Sequence, residues 1–260
     1  TEVKGTFLNE SSVLVYANQD GADVEILSPT AAGHPSKRFP IGRESTWGRG
    51  ARVTCAALPR LAPESFFFSG DTQELYWVDS RTLEPRSIPE LTEASNARAA
   101  GATPAVWRLS EREVGPPISR RNADFYAIAA AQDGSAVLLG GDWKEAVFLE
   151  IDDGRVQHQR YLRGHTQAVT GTAITTDGEL LVTFSGDHDG KSEISSGIGT
   201  LRVWRRSEPA QPPVEVDLGG QPLAIAADPT HPTRIAVGLF SGAVFEFEDP
   251  SKPNSRRLLV

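Results

Sequence analysis

Short apolar runs recur along this chain, separated by turns rich in Gly, Asp and Asn, and the spacing of the runs is even. The clearest unit opens on Tyr126-Ala127-Ile128-Ala129-Ala130, turns at Gln132-Asp133-Gly134, and continues through Ala136-Val137-Leu138-Leu139. Gly140-Gly141-Asp142 then turns the chain into Ala146–Ile151, and Asp152-Asp153-Gly154 leads to a fourth run ending near Tyr161-Leu162. Runs of about 4–8 residues, β-branched or aromatic and bounded by turn formers, predict strands. The pattern repeats from Val169 to Ile174, across Thr176-Asp177-Gly178, into Leu180–Phe184 and then Thr200–Trp204. It repeats again over Leu223–Ala226, Arg234–Leu239 and Val244–Phe247. Weaker copies hold Ser12–Tyr16 with Val24–Leu27, and Val53–Leu58 with Phe66–Phe68 and Leu75–Asp79.

Repetition of such units every ~40 residues predicts an all-β chain, a β-propeller of four-stranded antiparallel blades forming a single domain over residues 1–260. The third strands centre near residues 26, 77, 148, 203 and 246. The long gap after residue 77 predicts a further blade whose third strand is Ala105-Val106-Trp107-Arg108-Leu109, and hence six blades rather than seven. The alanine-rich stretch at residues 92–104 breaks the pattern, and residues 186–199 form an insertion between a second and a third strand. Buried positions are expected at Trp77, Leu138, Val147, Phe148, Phe184, Val203, Trp204, Ile235 and Phe245.

Composition narrows the functional classes. With 39% hydrophobic residues the chain can bury a core, and 24 Gly with 18 Pro suit many tight turns. A net charge of −8 argues against nonspecific nucleic-acid or anionic-membrane binding, and no run of apolar residues is long enough for a spanning helix. The single cysteine, Cys55, rules out an internal disulfide framework and predicts a buried thiol in a reducing, cytoplasmic setting. Methionine is absent altogether, which is expected of a processed piece of a larger protein.

One unit carries motif residues. Leu162-Arg163-Gly164-His165, Val169, Thr176-Asp177-Gly178 and Val203-Trp204 resemble a repeat of the WD-repeat β-propeller family, in which Gly-His opens the unit and Trp-Asp closes its third strand. Arg205 stands where the closing Asp would be, and elsewhere the resemblance rests on strand order and on Trp77-Val78-Asp79. The resemblance implies a structural hydrogen-bond network of His165, Thr183 or Ser185, Asp187 or Asp189, and Trp204. His165 is then structural rather than catalytic.

No nucleophile elbow, phosphate loop or Cys/His metal spacing occurs, so no catalytic, cofactor or metal residue is assigned. Asp187-His188-Asp189-Gly190-Lys191-Ser192-Glu193 resembles the start of a calcium loop but lacks the third acidic position and the glutamate spacing. In the family, the connections between blades and those between strands two and three share one face, called the top. Here those connections hold Arg43, Trp47, Arg49, Arg52, Arg120, Arg121, Arg160 and Arg163, together with His188 and Lys191 in the insertion. The turns of the opposite face hold Asp79, Asp152, Asp153, Glu208, Glu248 and Asp249. Arginine beside an indole suits carboxylate or phosphate recognition. The expectation is a non-catalytic platform, part of a larger regulatory or scaffold protein, binding an acidic or phosphorylated peptide from another protein or from another domain of its own parent. The alternatives are a propeller enzyme of hydrolase or lactonase type with a site at the central channel, or a sugar-binding propeller. A convergent cluster of carboxylates, histidines and asparagines would favour the enzyme.

Overall fold

The computed structural model describes residues 14–17, 23–27, 37–40, 53–57, 59, 61, 65–70, 74–79, 106–108, 125–141, 144–152, 155–186 and 199–260. All regular structure there is antiparallel β-sheet, apart from one 3-10 turn at Pro253–Ser255. The chain divides into two compact units, residues 1–125 with 151–157, and residues 126–150 with 158–260.

The first unit holds two sheets. One is three-stranded, from β1 (Leu14–Ala17), β2 (Asp23–Leu27) and β3 (Lys37–Pro40). The other runs in the order β4 (Val53–Ala57), β5 (Ser65–Gly70), β6 (Glu74–Asp79), β7 (Val106–Arg108). This order corrects one expectation. Val106–Arg108 is the fourth strand of the Val53 sheet, with Leu75 opposite Trp107, rather than the third strand of a separate blade. A run of three strand residues carries no label of its position in a sheet, and the long connection before it hid the pairing. The stretch at residues 92–104, the insertion's residues 187–198 and the side chains of Cys55 and Trp77 lie outside the described residues.

Three four-stranded sheets follow. They are β8 (Phe125–Ala130), β9 (Ala136–Gly141), β10 (Glu145–Asp152) and β11 (Arg155–Arg163); then β12 (Val169–Ile174), β13 (Leu180–Ser185), β14 (Thr200–Arg205) and β15 (Val214–Asp217); then β16 (Pro222–Ala227), β17 (Ile235–Leu239), β18 (Val244–Phe247) and β19 (Arg256–Leu258). In each, neighbours in sequence are neighbours in the sheet. The first hairpins share one device, an aspartate whose carboxylate accepts from the backbone N–H two residues on: Ser135 to Asp133 at 2.9 Å, Glu179 to Asp177 at 3.0 Å and Thr230 to Asp228 at 2.7 Å. Asp and Thr offer the backbone this local acceptor, which is why such residues punctuate the apolar runs.

Burial comes from sheet-on-sheet contact. Leu138, Phe148 and Leu162 of one sheet pack with Ile174, Leu181 and Trp204 of the next. The other face of that middle sheet, through Val182, Phe184 and Val203, packs with Ile235, Val237 and Phe247. Side chains alternate across a strand, so a sheet between two others must be apolar on both faces. That requirement explains the continuous run Leu180–Phe184, every residue of which is buried. Phe245 departs from expectation. It is only half-buried, and the Arg256 guanidinium lies 4.6 Å from its ring centroid. Hydrogen bonds tie successive sheets at the first-hairpin end, from Gln132 to Thr176 Oγ1 at 3.1 Å and from the Asp177 N–H to the Pro232 carbonyl at 3.1 Å.

Candidate functional site

The Gly-His pair leaves β11 and enters the connection to β12. Gly164 has φ +127°, a backbone conformation that favours glycine, and a Cβ there would meet only the guanidinium tip of Arg202. Arg202 extends across it to pair with Glu215 at 2.6 Å. His165, 5% exposed, is hydrogen-bonded through Nε2 to Thr183 Oγ1 at 2.6 Å. Its ring meets the Trp204 indole edge-on, with centroids 5.9 Å apart and planes at 62°. Burial, with Arg202 adding to it, pushes the imidazole pKa down to about 3. The ring is therefore neutral at physiological pH and shielded from solutes. It holds a connection in place and is poorly sited for proton transfer to a substrate.

Of the residues singled out in the sequence, the structure brings together His165, Thr183 and Trp204. Ser185 is buried at the end of β13. Asp187, His188, Asp189 and Lys191 lie outside the described residues, as do Arg43, Trp47, Arg49, Arg52, Arg120 and Arg121. Among the described residues the buried Nδ1 of His165 has no partner.

Arg163 ends β11 and pairs with Glu145 at 3.1 Å on an exposed surface. Arg160 differs from expectation, because it lies within β11 and not in a connection. Its guanidinium sits 5.2 Å from the Phe148 ring centroid, and burial lowers its pKa. The Nε and Nη2 atoms of Arg160 are buried without a partner. Strand geometry accounts for this placement: β11 is nine residues long and carries the chain to Arg163 before the connection begins.

The sequence reading assigned no contact to the arginine pair at the end of β14, Arg205 and Arg206. Arg206 donates to Glu150 Oε1 at 2.9 Å and to Ser135 Oγ at 3.2 Å, so it reaches back to the preceding sheet. Arg205 donates to Ser251 Oγ at 3.3 Å in the following sheet. Alternation at the end of a strand sends adjacent side chains to opposite faces, and two consecutive arginines there could have announced a clasp. Positive charge is thus not confined to the connection end. Removing the Glu150 carboxylate (Glu150→Gln) would leave Arg206 and Arg160 facing one another across Phe148. Chemical denaturation should show a loss of about 1–2 kcal/mol for this half-buried pair.

One turn has the makings of a catalytic cluster. Asp228 Oδ2 lies 3.0 Å from His231 Nδ1, and Thr230 Oγ1 lies 3.0 Å from the same nitrogen. A relay needs the carboxylate and the hydroxyl on different ring nitrogens, and here both converge on Nδ1. Hydrogen bonds from the Thr230 hydroxyl, and then from its backbone, hold Asp228 down to about pKa 2. Arg234 donates to Glu248 at 3.0 Å from beside the same carboxylate, which completes a turn lock. Among the described residues no group of three or more His, Cys, Asp and Glu side chains is arranged to hold a metal ion.

The base of the insertion is well fixed. The Gly199 N–H donates to the Gly220 carbonyl at 3.1 Å, and the Leu218 N–H donates to the Gly199 carbonyl at 3.1 Å. A Cβ on Gly199 would lie 2.1 Å from Pro222 Cδ and 2.5 Å from the Gly220 carbonyl oxygen. Backbone cannot move aside as a side-chain tip can, so Gly199→Ala should cost about 1–3 kcal/mol in a denaturant titration.

No family model matches the sequence, and no curated protein matches it. Among solved structures, a chain of "Crystal Structure of Mitotic Checkpoint Complex" superposes with a TM-score of 0.63 at 15% identity, over 98% of this chain and 65% of that one. The chain thus spans 65% of the length of this neighbour. With the sheets described above, the likeness makes the fold an all-β propeller of four-stranded antiparallel blades. In all, 1205 solved chains match, and a fold so widely shared carries no function by itself.

Proposed function

We propose that this chain is a non-catalytic protein-binding platform of WD-repeat type, the propeller module of a larger regulatory or scaffold protein. The observation that carries the reading is the state of His165. The motif histidine is buried, neutral and occupied by Thr183 and Trp204, so the residue best suited to chemistry serves the scaffold. The similarity to a chain solved as part of a complex supports a protein as partner.

The ligand class is an acidic or phosphorylated peptide, met by Arg43, Arg49, Arg52, Arg120, Arg121 and Arg163 with Trp47, and by His188 and Lys191 of the insertion. A planar guanidinium engages a carboxylate or phosphate through two parallel hydrogen bonds. Arg163 is exposed, with Glu145 as its ion-pair partner among the described residues, so it is accessible to such a ligand. The test is an array of acidic and phosphorylated peptides probed with the chain. Charge reversal at Arg120 and Arg121 should weaken binding by at least about tenfold, leave the melting temperature nearly unchanged, and mimic the effect of raised salt. Shortening residues 186–199 should act in the same direction. Binding indifferent to both variants and to salt would sink the proposal, and turnover of an ester or lactone substrate would replace it with the enzyme reading.

A further inference from the structure

β10 and β11 send a matched set of side chains towards the sheet that follows them. Ala146 and Phe148 of β10 and Leu162 of β11 lie in the core shared with β12–β15. Alternation along each strand puts Glu150 on the same face as Phe148, and Arg160 on the same face as Leu162. Arg206 reaches this face from the other side of the seam, just after β14. Its guanidinium carbon lies 5.8 Å from the Phe148 ring centroid, and that of Arg160 lies 5.2 Å from it. All of these residues belong to the second unit.

Two guanidiniums thus meet the carboxylate of Glu150. Arg206 holds it, with Nε donating to Oε1 at 2.9 Å, and adds a bond from Nη1 to Ser135 Oγ at 3.2 Å. Arg160 is left over, with Nε and Nη2 buried and lacking a hydrogen-bond partner. Those two nitrogens form one edge of the guanidinium, the edge that grips both oxygens of a carboxylate. Buried donors of a permanent cation carry their desolvation penalty until an acceptor arrives. Glu150 attracts Arg160 against that penalty, and Arg206 repels it. The other carboxylate that acts on Arg206, Asp133, already accepts the Ser135 N–H at 2.9 Å. Glu150 is therefore contested. Its present pair lies near the surface, with Glu150 31% and Arg206 26% exposed, so water can take over from either partner. The Arg160 fork is dry, and a bond made there is the stronger for it.

We propose that Glu150 is a two-position latch between these sheets. The structure shows the closed position, in which Glu150 bonds Arg206 and fastens β8–β11 to β12–β15. In the open position the carboxylate turns to the Arg160 fork within its own sheet, and Arg206 is released to solvent. One ion pair is exchanged for another, so the seam can open at its hairpin end without leaving the Glu150 charge unpaired. The closed position also satisfies Ser135, whereas the open one satisfies two buried donors. Opposing gains of the same kind are what a bistable element needs. The inference concerns motion of the scaffold and holds whatever the chain binds.

The test is solution NMR of the arginine Nε–H groups in the whole chain, with Arg160→Lys and Arg206→Lys identifying the two signals. Removing the competitor in Arg206→Gln should move the Arg160 Nε–H signal downfield and slow its exchange with water about tenfold or more, as a bond to a carboxylate does. Adding Glu150→Gln to that variant should abolish both changes. An Arg160 signal that is the same in Arg206→Gln as in wild type would overturn the latch. So would a signal that still moves in the double variant, because another acceptor would then occupy the fork. Ser135→Ala keeps the proposal open to refutation should Arg206→Gln fail to fold. It weakens only the closed position, so the Arg160 signal should move part of the way in the same direction, and a signal that stays put would refute the latch equally.

Discussion

Replacing Trp204 with alanine should destabilise the protein by about 3–5 kcal/mol, the cost usual for a buried large aromatic. The indole sits opposite Leu181 in the sheet and packs with Leu138, Phe148 and Ile174 across the boundary between two sheets. Removing it opens a cavity at that boundary, where neither sheet can close in without breaking its own hydrogen bonds. It also removes the edge contact to His165, so the imidazole would keep Thr183 alone. For a chain of this size each kcal/mol corresponds to about 2–4 °C in melting temperature, so the shift should be unmistakable in a thermal scan. Trp204→Phe should lose less, because it retains an aromatic ring at the boundary. A melt unchanged in Trp204→Ala would show that the boundary between these sheets contributes little to stability.

Most of this architecture was legible in the sequence wherever the apolar runs were long. Leu180–Phe184 and Ala136–Leu139 are buried on both faces, so their continuous hydrophobicity gives their position away. Val106–Arg108 offered only three residues, and its pairing with Glu74–Tyr76 spans a connection whose length local patterning cannot bridge. The candidate site was less legible, for a physical reason. Gly164, His165 and Trp204 are recognisable because their places make specific demands, a backbone conformation that favours glycine, a ring nitrogen and an indole edge. An exposed arginine carries no such demand. Arg160 was assigned to a connection and lies in a strand against Phe148, while Arg205, noted only as a departure from the motif, and Arg206 join three successive sheets.

Acid should weaken the protein earlier than its carboxylates alone would allow, and His165 is the cause. Burial, reinforced by Arg202, lowers this imidazole from 6.5 to about 3 in the folded state. Between those values the unfolded chain binds a proton that the folded chain refuses. Protonation therefore favours unfolding, and the histidine's contribution, complete above pH 6.5, is lost as pH falls towards 3. The slope for one such group is about 1.4 kcal/mol per pH unit, so the loss should reach about 3 kcal/mol near pH 4.5. The mechanism is the cost of placing an imidazolium in a buried site, with the Arg202 cation nearby and, among the described residues, no partner for its Nδ1. Asp228 acts in a lower window. The Thr230 hydroxyl holds its pKa near 2 against 3.8, so its contribution fades only at more acid pH. Denaturant titrations between pH 6.5 and 4.5 thus isolate the histidine. His165→Asn should be less stable than wild type at neutral pH, because the fit to Thr183 is imperfect, and its stability should vary less with pH. The two stability curves should then converge on acidification. Parallel curves over that range would mean that the buried ring does not govern the acid response.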